Sequence, residues 1–299
     1  MENNKSPERL IIYLIAAIWV VLFFHCAWVY LFFYCAMTAL RPIQFFDRSA
    51  VGVTVHVAMN IFIVYATFST TTWQRRIFIS GILGVTLAAS SILFFIFPPN
   101  LFRLTNAMLN DALQMLNILN WTSLFAIVLF VLGSFLQWQF GPLGVRAQKL
   151  SIKTLMFVMT AVALTVALET FLAAKLEQRE LLFFAMVFLP KLFSGLCIAR
   201  IATHRRWRLA LPAVMLMSPL LLLVMYLLIG GRINSNGFML RYCLPDLIGS
   251  GILIWFYIAI SRRGWQLHVA RNPKADDRLG TELVQSQGPV GVFPEDANA

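Results

Sequence analysis

Long runs of apolar residues alternate along the chain with short segments that carry charge, Pro or Gly. A hydrocarbon layer about 30 Å thick takes about 20 residues of helix to cross. Eight runs are close to that length: Leu10 to Tyr34, Ala50 to Phe68, Ile77 to Phe97, Leu119 to Phe140, Thr154 to Ala174, Leu181 to Ala199, Leu209 to Ile229 and Tyr242 to Ile260. The pattern predicts an all-α, polytopic helical membrane protein with about eight transmembrane helices. Its parts are an N-terminal tail (1–9), a first four-span half (10–140), a basic loop (141–153), a second four-span half (154–261) and a polar tail (262–299).

Two segments depart from the simple pattern. Uncharged residues continue from the first run to Leu40, too far for a straight helix at about 1.5 Å per residue, so this helix tilts or ends in the interface. Lys5 and Arg9 precede it as the basic region of a signal peptide would, but the run is too long for a cleaved one and predicts a retained signal anchor. Between Pro98 and Ile118 the chain is too polar to span. Its apolar residues recur at Leu101, Leu104, Met108, Ala112, Met115 and Leu119, which predicts an amphipathic helix over about 101–118, lying on the outer leaflet or capping the bundle.

Composition removes the other classes. The chain is 60% apolar and aromatic and 12% charged, against about 45–50% and about 25% in soluble domains. A soluble domain, a disordered chain and a disulfide scaffold are excluded. A net charge of +11 would raise nucleic acid in a soluble protein, but here the charge follows topology. Of the 24 Lys and Arg, 16 fall on the side that holds both termini, 7 on the other and one, Lys191, inside a run. The positive-inside rule then predicts cytoplasmic termini, and no nucleic-acid partner is called for. Cys26, Cys35, Cys197 and Cys243 lack C-x-x-C spacing, so no metal site or disulfide framework is indicated. The predicted partner is the lipid bilayer, with a homo-oligomer or a second membrane protein left open. The tail from Arg262 begins basic and turns polar, the composition of a disordered or loosely held segment.

The fifth run opens Gln148-Lys149-Leu150-Ser151-Ile152-Lys153-Thr154-Leu155, followed by apolar residues interrupted by Thr160 and Ala161. Ser151 is a fair helix N-cap, and Lys149 and Lys153 lie at headgroup depth, so the segment reads as an insertion and anchoring signal. It resembles a segment recurrent in multi-pass membrane proteins of planctomycete bacteria, with Leu150 in place of the usual Phe and Lys153 in place of the usual Arg. The likeness covers about one span. It implies a bacterial inner-membrane protein and transfers no catalytic residue, substrate or cofactor.

Ionisable side chains inside a membrane cost at least about 2.5–3.5 kcal/mol each at the helix centre, which makes them candidates for function. Five qualify: His25, His56, Glu169, Lys191 and Asp246. Lys191 falls near the midplane and the others in the outer half. Leu189-Pro190-Lys191-Leu192 and Leu244-Pro245-Asp246-Leu247 look alike, and Lys191 and Asp246 could pair there and line an outward-facing polar cavity with Glu169. The plainer alternative is that Glu169 and Asp246 reach interfacial water near their helix ends while His25 and His56 stay neutral and hydrogen-bonded. A stripe at Ser80, Gly84 and Ala88 predicts close helix approach in the third run.

No nucleotide-binding, zinc-protease or nucleophile-elbow motif is present, and no cofactor is indicated. The expectation is an integral inner-membrane protein of structural or accessory kind, with catalytic residues none. The alternative is a small-solute or proton-coupled transporter using Lys191, Asp246 and Glu169. A third class, an intramembrane lipid-modifying enzyme, would need His25 or His56 as base.

Overall fold

The computed structural model of the chain describes residues 7–35, 41–96, 106–142, 152–175, 178–228 and 243–269. Among these are eight α-helices: α1 (Pro7–Cys35), α2 (Arg41–Phe68), α3 (Trp73–Ile96), α4 (Asn106–Phe135), α5 (Ile152–Ala173), α6 (Gln178–Thr203), α7 (Leu211–Leu228) and α8 (Leu244–Ser261). Each expected run corresponds to one helix. Five contain stretches long and apolar enough to cross a membrane: Glu8–Ala27, Ala50–Phe68, Leu116–Phe135, Trp207–Val224 and Leu244–Ser261. A shorter apolar stretch, Val158–Ala173, lies on α5.

The bundle is built around α2. Its Val51, Ala58, Met59, Ile61, Val64 and Tyr65 are all buried, and so are the polar Thr54, His56, Asn60 and Thr67 between them. A helix buried on every side belongs at the centre of a structure, and α1, α3, α4, α6 and α8 surround this one. Two helices stand outside this group: α5 packs on α4, and α7 packs on α6 and α8. Outward faces of α1 and α5 are apolar, as Phe23, Phe24, Met156 and Met159 show, the surface expected where the surrounding solvent is hydrocarbon.

One end of the bundle is closed by two short antiparallel strands, β1 (Trp138–Pro142) and β2 (Trp265–Val269), with Trp138 opposite Val269 and Pro142 opposite Trp265. Thr70 N–H donates to the Phe140 carbonyl at 3.1 Å, tying β1 to the segment after α2. Leu267 N–H donates to Thr203 Oγ1 at 3.4 Å, and the Arg200 guanidinium donates to the Leu267 carbonyl, which ties β2 to α6. Phe140 is the plug, edge-on to Tyr257 at 6.0 Å and to Trp265 at 5.6 Å between ring centroids. Arg76 closes the C-terminus of α2, where carbonyls lack helical partners: its Nε donates to Ala66 O at 2.7 Å and its Nη2 to Thr67 O at 2.6 Å. Arg75 lies 3.7 Å from Glu8, which sets the start of α1 at this same end.

Three expectations need correcting. The fourth span does not run to Phe140; α4 stops at Phe135, and 138–142 is a strand. Residues 265–269, expected to begin a loose polar tail, are its partner strand, because Leu267 points inward and is fully buried; residues 270–299 lie outside the described residues. The amphipathic helix expected over 101–118 is continuous with the fourth span from Asn106 onward, while 101–105 lies outside the described residues. Gly84 of the small-residue stripe faces Phe62 of α2, and a Cβ there would meet its ring at 3.8 Å, ordinary van der Waals contact.

Phe140→Ala is expected to remove about 3–5 kcal/mol of stability, the usual cost of emptying a buried aromatic site, read as a lowered unfolding midpoint in detergent. His204, in the turn after α6, is held below the ordinary imidazole range by burial, by the nearby Arg200 charge and, less, by His268, with a hydrogen bond to the Arg200 backbone in partial opposition. Its folded pKa therefore lies below its unfolded value near 6.5, so its contribution is present above that pH and lost as pH falls through it. Thermal stability should drop between about pH 7 and pH 5, and His204→Gln should flatten that drop.

Candidate functional site: a buried ion pair beside a buried histidine

Two of the five sequence candidates meet directly. Lys191 Nζ lies 2.7 Å from Asp246 Oδ1. Both Pro-containing segments are therefore brought face to face. Pro190 sits inside α6 and cannot supply its helical N–H, and Pro245 opens α8 where that N–H has no partner in any case. Asp246 thus stands in the first turn of α8, where the helix dipole favours a carboxylate.

The second carboxylate oxygen is also engaged. Ser218 Oγ, on α7, donates to Asp246 Oδ2 at 2.7 Å. Lys191 further lies over the ring of Phe188, 5.6 Å from its centroid, a favourable placement for an ammonium. Asp246 is 0% exposed and Lys191 6%, so the expectation that Asp246 reaches interfacial water without a partner is overturned: it is sealed and paired.

His56 of α2 completes the group. Its Nδ1 is 3.7 Å from Asp246 Oδ1, too long for a hydrogen bond, and neither ring nitrogen has a hydrogen-bond partner. The ring reaches this place because α8 has Gly249 against it; a Cβ there would come within 2.5 Å of His56 Cδ2. One turn on, Asn60 Nδ2 donates to the His56 carbonyl at 2.8 Å, and Gly195 of α6 leaves the space that Asn60 fills. Two glycines thus let α6 and α8 lie close on α2 where its polar side chains are. Ser250 and Tyr257 of α8, both buried, carry hydroxyls without hydrogen-bond partners. With Asp246 they follow the helical repeat along one side of α8.

The remaining candidates are elsewhere. Glu169 on α5 accepts from Asn120 Nδ2 of α4 at 2.7 Å, so it does not join Lys191. His25 is buried on α1. The cavity imagined from Lys191, Asp246 and Glu169 together is therefore not formed. Two cavities lined by described residues, one by α2 to α5 and the other by α1 and α3, do not include Lys191 or Asp246. The base role for His56 also lacks its hydrogen-bonded carboxylate. Among the described residues, no group of three or more His, Cys, Asp or Glu is placed to hold a metal ion.

Ser218, Asn60 and the two glycines are the site residues that sequence reading missed. Ser218 precedes Pro219 in an apolar helix, and the charge-based search had no reason to weigh a hydroxyl. Gly195 and Gly249 sit on different helices and share no local stripe.

Compared with known protein families, curated proteins and solved structures, the chain matches none.

Removing one partner of a buried pair leaves an unpaired charge, a loss of about 3–5 kcal/mol. Lys191→Met alone and Asp246→Leu alone should each cause that loss, while the double variant recovers most of it, measured by unfolding in mixed micelles.

Proposed function

We propose that the chain is an eight-span inner-membrane protein of structural or accessory kind, with both termini in the cytoplasm. The Lys191–Asp246 pair is its internal lock, joining α6 to α8, with Ser218 adding α7. The observation that carries this reading is the sealing of the pair: a charge that must meet a solute needs an opening, and Asp246 is 0% exposed. The strand-closed end supports the orientation. Arg75, Arg76, Arg200, Arg208, Arg262 and Arg263 gather there, and such a basic end belongs on the cytoplasmic side. The likeness of the segment from Gln148 to Leu155 to planctomycete membrane proteins supports a bacterial inner membrane.

A proton-coupled carrier is the second reading, favoured by a separate observation. His56, Ser250 and Tyr257 are buried beside or below the pair without hydrogen-bond partners. Such groups are costly to keep dry, and a second state that hydrates or occupies them would account for them.

The two readings separate in sealed proteoliposomes loaded with a pH-sensitive dye. Under an imposed pH difference with valinomycin and potassium to compensate charge, the lock reading expects wild type and Asp246→Asn to hold the gradient like empty vesicles. Faster collapse with wild type, removed in a folded Asp246→Asn protein, would replace the lock with the carrier. A reporter at Ala299 that matures only in the cytoplasm should be active.

A further inference from the structure

A slot of about 400 Å³ runs between α2, α3, α4 and α5, within the range of small-ligand sites. It exists because α5 packs on α4 and stands off α2 and α3. On α4 it extends from Phe130 to Ser123 and on α5 from Val158 to Thr165, eight residues on each, or about 10 Å along the bundle. Its walls include Phe62, Ile127 and Ala161, and Leu164 at its rim is 66% exposed. Two of its hydroxyls are already spent on backbone carbonyls: Thr67 donates to Ala126 O at 3.4 Å and Thr165 to Val162 O at 2.9 Å. What they leave is an apolar slot with one charged group, Arg76, at the strand-closed end.

Arg76 is unusual among the basic residues of that end. It is only 7% exposed, and its neighbours are the carbonyls of Ala66 and Thr67 and the ring of Phe130 at 5.5 Å. No carboxylate among the described residues pairs with it, and it carries a full charge next to an apolar space. We propose that this slot binds one anionic glycerophospholipid of the cytoplasmic leaflet, with part of an acyl chain between α4, α5 and α2 and the phosphate on the outer side of the Arg76 guanidinium. Charge decides the class: phosphatidylcholine brings the same phosphate but sets a quaternary ammonium beside it that opposes the guanidinium, whereas an anionic lipid adds no such cation, and basic pockets between helices on the cytoplasmic side are suited to anionic headgroups. The site rests on the membrane reading and orientation above and is independent of whether the ion pair is a lock or a carrier centre.

The test is native mass spectrometry of the full chain, delipidated in mild detergent and titrated with phosphatidylglycerol or phosphatidylcholine. Wild type should hold one phosphatidylglycerol about fivefold more tightly than phosphatidylcholine, the effect of one cationic side chain near an anionic surface. Arg76→Gln should abolish that preference while still binding either lipid weakly. Because Arg76 also caps α2, a second variant is needed that leaves it intact: Ala161→Phe, which fills the slot, should lose tight binding of both lipids with unfolding unchanged. Equal affinity of wild type for the two lipids, or undiminished binding by folded Ala161→Phe, would overturn the site. So would a concentration-dependent dimer abolished by Ala161→Phe, which assigns the slot to a second copy. Release of the chain from membranes by alkaline carbonate alone would overturn the membrane reading itself.

Discussion

A charge cannot be left alone in an apolar interior, and this constraint organises the bundle. Lys191 and Asp246 are each costly to bury; together, at 2.7 Å, they are tolerable. Meeting that condition fixes α6 against α8, and the spare oxygen of Asp246 then fixes α7 through Ser218. The remaining requirement is backbone closeness to α2, which Gly195 and Gly249 allow because any side chain there would strike Asn60 or His56. The pair is not thereby a source of great stability, since hydrophobic residues of similar volume often do as well. What it supplies is register: a slip of one residue in α6 or α8 would part the charges.

The opposite end is governed by a different requirement, the unpaired carbonyls at helix C-termini. Arg76 meets it for α2, and at the end of α6 Arg208 Nε donates to Ala202 O at 3.2 Å while its Nη2 donates to Ser261 Oγ of α8 at 2.8 Å. Positive charge near a helix C-terminus is also favoured by the dipole. Two of the arginines at this end, Arg76 and Arg208, are thus caps of the helices they follow. The β1–β2 ribbon completes the closure, with its Phe140 buried against Tyr257 and Trp265.

The helices were legible because membrane length is a local property of sequence. Ala50–Phe68 and Leu244–Ser261 show themselves as unbroken apolar runs, and the structure has helices there. The strands were not. Trp138–Pro142 and Trp265–Val269 are five residues each and more than a hundred residues apart, and an alternation that short is indistinguishable from the end of a helix or the start of a tail. At the site, rarity of charge in an apolar run was enough to find Lys191, Asp246 and His56. It also drew in Glu169, whose partner Asn120 lies on another helix pair; a scarce charge marks a need for a partner without saying which partner answers it. Ser218 and the glycines carry no such mark, since small and hydroxyl residues are ordinary in membrane helices.

Charge balance limits what the site can do if it is more than a lock. With Lys191 protonated, Asp246 ionised and His56 neutral, the group is electrically balanced. A proton added to it leaves one uncompensated positive charge among buried side chains, which is costly. His56 is 3.7 Å from Asp246, so a shift of about 1 Å would bring it to hydrogen-bond distance, where it would share Oδ1 with the Lys191 ammonium. A protonated His56 there would set a second cation on one carboxylate, and the group would carry a net positive charge. A carrier built on this arrangement would have to compensate that added charge as the proton passes. The lock and the carrier share one physical statement: Asp246 can satisfy one cation fully, and α2, α6 and α8 are held where only Lys191 is that cation.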